Sequence, residues 1–358
     1  MKKTISLVLF ILMVASIVTA CAAAPSTSPS PAASAAPSVA ASASQASSAP
    51  ASTAAKDAYN IAIITKNSQT AFWQYCYIGA NNAAVDNPKI KVVTNGPPSS
   101  KDIDKQVQIL EDTINNKPDG IVLAPLNGDS LKPGVEKAMD MGIKVVLIDS
   151  AVNSDKFVTL LGTDNIAAAG KGAETFVEKL KAKNIPLKGK VAMISPYGGV
   201  QYLLDRENGF AQKLKELAPD IEVIGPKYYE NDPIKGVGIV EDLLTANSDM
   251  IGFYATNNMG GVAISRVVTE RNLASKLVSV SFDSDPEEVS GINSGSLDAL
   301  IVQDPYTLGY NGVTSCVDAI DGKTLEKRIV TDVALVTKEN VNEQNMKELL
   351  DPTLKKKY

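Results

Sequence analysis

"KVVTNGPPSSKDIDKQVQILEDTINNKPDGIVLAP", residues 91–125, changes its hydrophobic period twice. "KVVT" (91–94) and "GIVLAP" (120–125) are short apolar runs rich in β-branched residues, which read as strands. Between them, Ile103, Val107, Leu110 and Ile114 fall four, three and four residues apart, so a helix would align them as one buried stripe. Asp102 stands where its carboxylate can cap the first turn. Strand, helix and strand in this order form the repeating unit of a doubly wound α/β sheet.

The unit recurs on both sides. "NIAIIT" (60–65), "KVVLID" (144–149), "KVAMIS" (190–195), "IGFYAT" (251–256), "VSVSFD" (278–283) and "ALIVQD" (299–304) are nearly continuous in apolar residues. Parallel strands covered on both faces have that pattern. In "PIKGVGIVEDLLTAN" (233–247), Pro233 suits a first helical turn, and Ile234, Val237, Val240 and Leu244 form the expected buried face. Eight such strands are too many for one compact sheet of this kind, so two sheets and two lobes are expected.

The first 20 residues precede this body and have a different character. "MKK" is a basic start, "TISLVLFILMVASIV" an apolar centre, and "VTAC" ends the segment at Cys21, the layout of a secretory signal. Thr19 and Ala20 directly before a cysteine resemble a lipoprotein signal, which implies cleavage before Cys21, a lipid on Cys21 and tethering to a membrane without spanning it. Residues 21–56 are almost entirely Ala, Ser, Pro and Thr, the composition of a flexible spacer.

Composition narrows the function. The chain carries a net charge of −5, and no basic cluster marks a nucleic-acid surface. It contains no histidine, which removes the commonest general base and the commonest metal ligand and weighs against an enzyme. Besides Cys21, the cysteines are Cys76 and Cys316; neither sits in a metal-binding spacing, and they read either as one disulfide or as two separate buried thiols. The C-terminal "LKKKY" reads as a solvated tail.

Ligands of doubly wound sheets sit beyond the carboxyl ends of the strands. At those ends stand Lys66, Asp149, Asn257, Asp283 and Gln303. Each alone also reads as a helix cap or a turn residue; their shared edge is the functional signal. Phe72 and the only tryptophan, Trp73, follow the polar loop after the first strand. Adjacent residues on a helix point in different directions, so the two rings cannot both serve one buried stripe. They read as a wall for a ligand or as core packing under a lobe.

With "FW" (72–73), "VVLIDS" (145–150), "LLGTDN" (160–165), "DRENGF" (205–210), "FYATNN" (253–258), "VSFDSDPE" (280–287) and "IVQDPYTLG" (301–309) in this order, the chain resembles the periplasmic sugar-binding proteins of the ribose and galactose type that serve ABC transporters. The likeness runs from about Tyr59 to Lys338. It implies two doubly wound lobes joined by a three-segment hinge, with residues 57–163 and 304–330 in one lobe and 164–303 and 331–358 in the other. The ligand positions it implies are Phe72, Trp73, Asp149, Arg206, Asn257, Asp283 and Gln303, with Lys66 in place of a small polar residue. Three positions depart from the ribose-binding pattern: Ser150 replaces an arginine, Asn231 an aromatic and Thr70 an asparagine. These changes put ribose itself in doubt. No cofactor is implied; the partners are a sugar and a permease, the membrane is reached through the lipid alone, and the protein is monomeric at the outer face of a bacterial membrane.

The chemistry agrees with a sugar. Its C–H faces suit aromatic rings, and its hydroxyls suit Asp149 and Asp283 as acceptors, Arg206 as donor, and Asn257 and Gln303 as both. Lys66 reads either as a pointer to an acidic ligand or as a lysine paired with Asp149. The same lobes would serve a sensor that presents a sugar-like signal to a membrane receptor. A carbohydrate-cleaving enzyme would use Asp149 and Asp283 as its carboxylate pair.

Overall fold

The computed structural model describes residues 57–358; the signal, Cys21 and the spacer lie outside the described residues. The chain begins β1 (Tyr59–Ile64), α1 (Ala71–Asp86), β2 (Ile90–Asn95), α2 (Ile103–Asn115), β3 (Gly120–Leu123), α3 (Gly128–Asp140), β4 (Lys144–Ile148) and β5 (Leu160–Thr163). It continues with α4 (Asn165–Ala182), β6 (Gly189–Ser195), α5 (Gln201–Leu217), β7 (Ile221–Tyr228), α6 (Pro233–Ala246), β8 (Met250–Ala255), α7 (Asn258–Glu270), β9 (Val278–Phe282), α8 (Pro286–Ser294) and β10 (Ala299–Val302). Last come α9 (Pro305–Ile320), β11 (Arg328–Thr331), β12 (Ala334–Thr337), α10 (Gln344–Leu350) and a 3₁₀ turn (Pro352–Lys355).

Two six-stranded sheets result, ordered β11-β5-β4-β3-β1-β2 and β12-β10-β9-β8-β6-β7. The first is parallel throughout; in the second only β12 runs antiparallel, against β10. Each sheet with its helices is one lobe. The strand order reverses at β1/β3 in the first lobe and at β6/β8 in the second, and such reversals open crevices at the carboxyl edge. The chain crosses between the sheets after β5, after β10 and between β11 and β12.

The stripe read from α2 is in place: Leu110 and Ile114 are buried, with Ile103 and Val107 packed beside them. Asp102 occupies the N-cap but makes no side-chain cap bond; its backbone (φ −89°, ψ 62°) is not in the extended conformation of a capping residue. On α6, Val240 is buried and Val237 and Leu244 pack half-buried beside it as expected; Leu243 is buried too, and Ile234 is 80 % exposed. Ile234 sits in the first turn of α6. α1 and α9 lie backbone to backbone. A Cβ on Gly79 would meet the Tyr306 carbonyl oxygen at 1.9 Å, and one on Gly309 would meet that of Cys76 at 1.9 Å. That close approach fixes the direction in which α1 presents its first turn.

The tail is exposed over most of its length, as expected, and it also returns from α10 to the first lobe. Asn82 on α1 donates to the Lys355 carbonyl (2.7 Å) and accepts from the Lys357 amide (3.1 Å), while the Lys357 ammonium pairs with Asp86 (2.7 Å). The buried Asn82 amide needs those backbone partners.

Candidate functional site

The polar loop after β1 folds around one side chain. Asn67 is buried, and its Oδ1 accepts from the amides of Gln69 (3.0 Å) and Thr70 (2.9 Å). Behind it the buried Gln106 amide donates to the carbonyls of Thr65 (3.0 Å) and Ala124 (2.8 Å), tying the ends of β1 and β3 together. Thr70 is the exposed N-cap of α1 and makes no side-chain cap bond. The rings that follow diverge. Trp73 turns inward, 6 % exposed, among Tyr59, Ile61, Cys76 and Leu308; Phe72 lies half-buried across its edge, ring centroids 4.9 Å apart. Of the two rings, Trp73 is thus buried in the first lobe's core and Phe72 is the more accessible.

Lys66 and Asp149 stand at the carboxyl ends of β1 and β4. Their charged groups meet at 2.6 Å, and Ser150 Oγ accepts from the ammonium (2.7 Å) and donates to the same carboxylate oxygen (2.8 Å). Burial pushes the Asp149 carboxyl up, but the Lys66 ammonium, its hydrogen bond, Ser150 and the Arg206 charge outweigh burial and hold it below the usual range. Of the two readings of Lys66, the paired one holds.

Arg206 is the centre of the second lobe's site. It is 3 % exposed, its guanidinium lies 3.6 Å from the Phe282 ring centroid, and it donates to Asn165 Oδ1 (2.8 Å), the Thr256 carbonyl (2.9 Å) and Asp283 (3.3 Å). Asp283 also accepts from Gln303 (2.6 Å), whose carbonyl oxygen accepts from Thr163 (2.8 Å) at the end of β5. A hydrogen-bonded line thus runs from the binding edge to the strands that cross between the lobes. Asp149 and Asp283 are equivalent: each follows its strand with a left-handed backbone (φ 65° and 72°), and each amide donates at 2.8 Å to the next strand, at Leu161 and Ile301. Left-handed residues other than glycine cost about 1 kcal/mol or more and collect at functional sites.

Asn257 caps α7 through Oδ1, which also accepts from the Tyr229 hydroxyl, and its amide donates to Asn231 (3.1 Å). Asn231 is exposed, with φ 58°. It joins Asn257 but has no hydrogen bond to the Arg206 group.

Sequence reasoning missed two members of this group. Asn165 stood only as the last residue of "LLGTDN" in the family pattern, yet it holds Arg206. Tyr202, one helical turn before Arg206 on α5, lies 5.1 Å from its guanidinium and 5.6 Å from the Lys66 ammonium of the other lobe. The i, i+4 spacing of an aromatic and an arginine was the available signal. Cys76 and Cys316 are separate buried thiols, both pushed up by burial, so the disulfide alternative falls. No group of three or more acidic or cysteine side chains that could hold a metal occurs among the described residues.

Two cations and two carboxylates thus face one another and cancel. Among the described residues, neither the Arg206 Nη2 hydrogens nor Asp149 Oδ1 has a protein hydrogen-bond partner. The arrangement offers donors and acceptors together but no surplus charge, which suits hydroxyl groups.

Known proteins agree with this geometry. Residues 61–324 match the family model described as periplasmic binding protein domain. The D-allose-binding periplasmic protein of Escherichia coli (strain K12) is 28 % identical over 277 residues, 75 % of this chain and 86 % of that protein. The ribose import binding protein of Bacillus subtilis (strain 168) is 25 % identical over 67 % of this chain and 75 % of its own length. Among solved structures, a carbohydrate transporter solute-binding protein from Agrobacterium radiobacter, in complex with D-arabinose, is 30 % identical, covers 82 % of this chain and 99 % of its own, and superposes with a TM-score of 0.74. An ABC transporter solute-binding protein from Agrobacterium vitis with bound D-fucose is 31 % identical over 81 % of this chain and 99 % of its own, with a TM-score of 0.71. The chain belongs to the periplasmic binding protein family, in its two-lobed type I form.

Proposed function

We propose that this protein captures a neutral monosaccharide or small polyol between its lobes and delivers it to an ABC import permease. The observation that carries the reading is the charge-balanced group of Lys66, Asp149, Arg206 and Asp283 at the facing carboxyl edges of the two sheets. An acidic ligand would need an unpaired cation; here each cation already has its carboxylate. Relatives that bind D-allose, D-arabinose and D-fucose support the same class.

In this account Phe72 covers one face of the sugar, with Trp73 behind it. Arg206 Nη2 and the Lys66 ammonium donate to hydroxyls, and Asp149 Oδ1 accepts. Asn257 and Ser150 extend the rim, while Thr70 and Asn231 stand at its mouth. Gln303 and Asp283 position Arg206. The lobes are residues 57–163 with 304–330 and 164–303 with 331–358, the last residues of the second lying back against α1 of the first. Contacts from both lobes favour the closed form, and only that differential affinity shifts the population toward it. Cys21 carries the lipid that anchors an exported monomer at the outer membrane face, and residues 21–56 are its tether. A glycosidase reading is disfavoured because both carboxylates are tied to cations, Asp149 to Lys66 and Asp283 to Arg206, leaving neither placed as a general acid. Native mass spectrometry of the purified protein tests the reading: one neutral sugar of pentose or hexose mass per chain is expected, and a retained sugar acid or sugar phosphate would overturn it.

A further inference from the structure

The wall formed by Phe72 covers one side of a ring only, and the second-lobe position where an aromatic was expected holds Asn231, whose amide oxygen is occupied by Asn257. The rings around Arg206 supply a substitute. Phe282 is fully buried behind the guanidinium, but Tyr202 on its other side is 37 % exposed. Tyr202 also lies against the Lys66 ammonium, which belongs to the facing lobe, so its ring stands in the gap between the two halves of the polar group. Its phenol is pushed up, by burial first; Arg206 pulls it down, and the carboxylates of Asp149 and Asp283 push it up. Tyr202 is thus partly open to solvent and has one cation from each lobe near its ring, the position of a side chain standing between the lobes.

Resting on the sugar-binding reading above, we propose that Tyr202 is the second-lobe wall of the site: its ring covers the sugar face opposite Phe72 and sets which monosaccharides fit. Without ligand, the Lys66 ammonium lies against that ring; a sugar entering between them replaces a cation–π contact with C–H contacts and frees the ammonium to turn to a hydroxyl. Because Tyr202 lies in the first turn of α5 and is a third exposed, its removal leaves the core of the lobe in place.

Isothermal titration of the wild type and of Tyr202→Phe, Tyr202→Ala and Tyr202→Leu with D-allose, D-arabinose and D-fucose tests the assignment. The phenylalanine variant is expected to keep the wild-type affinity within about threefold, because the ring face carries the contact. The alanine and leucine variants are expected to weaken binding about tenfold or more, and to reorder the preference among the sugars, with melting temperatures near that of the wild type. If the wild type binds a sugar and the alanine and leucine variants bind it equally well, Tyr202 is not a wall, and the sugar-binding reading stands without it. If the wild type binds none of the three, the sugar-binding reading fails and takes this assignment with it.

Discussion

Replacing Arg206 by lysine keeps a positive charge beside Asp283 but removes the planar fork. In the native structure three bonds fix the guanidinium, to Asn165, Thr256 and Asp283, and stacking on Phe282 orients it so that Nη2 is left over. A lysine ammonium reaching Asp283 cannot also serve Asn165 and present a second pair of donors. One charge-assisted hydrogen bond to the ligand is worth about 1.5–3 kcal/mol, so its loss predicts roughly a tenfold to hundredfold weaker sugar binding. The lost bond to Asn165 costs about 1 kcal/mol more in stability, a fall in melting temperature of about 2–4 °C. Titration calorimetry reads the first effect and calorimetric melting the second. A folded Arg206→Lys protein that binds sugar with wild-type affinity would refute the claim that Arg206 grips the ligand.

The two neighbouring rings separate in the same assay. Phe72→Ala should weaken sugar binding while leaving the fold intact, whereas Trp73→Ala should destabilise the first lobe by about 3–5 kcal/mol and Trp73→Phe should bind nearly normally. Asp149 has its carboxyl held below the usual range. The stability it contributes is therefore full above about pH 4 and is lost as pH falls through the lower folded value; acid melts of Asp149→Asn should be less steep than those of the wild type. Glu288 is the opposite case. It is buried on α8, desolvation pushes its carboxyl well above the usual range, and the native state holds its proton over a window in which the unfolded chain releases it. Stability should fall by up to about 1.4 kcal/mol per pH unit as pH rises through that window. Glu288→Gln should abolish that loss and melt higher than the wild type at neutral pH, with little difference at pH 4.

Central strands were legible because both of their faces are covered and their sequences run apolar without interruption, as in "GIVLAP" and "IGFYAT". Three of the four edge strands escaped, β2 being the exception. β7 has one buried residue, Ile221, followed by half-buried and exposed ones, and in β11 ("RIVT") only Ile329 packs against the core among the apolar residues. β12 escaped because its single buried residue, Val336, gives no run. β5 is apolar but only four residues long, and its "LLGT" was legible only within the family pattern. At the site, the strand-end residues Asp149, Asn257 and Asp283 could be found because topology alone brings them to one edge. Tyr202, Asn165 and the inward turn of Trp73 could not, since each depends on how a helix rotates against its neighbours. The exposure of the tail was legible from its lysines, but not its contact with α1, where Lys357 pairs with Asp86 and the backbone satisfies Asn82.

The most direct test of the charge-balanced clamp compares a neutral sugar with its own acid. Ligand-free protein titrated with D-allose, D-arabinose and D-fucose, and in parallel with the corresponding aldonic acids, should bind at least one neutral sugar with a stoichiometry of one per chain and the matching acid at least about a hundredfold more weakly, since an added carboxylate would face Asp149 and Asp283 with no unpaired cation. Tighter binding of the acid than of the sugar would contradict it.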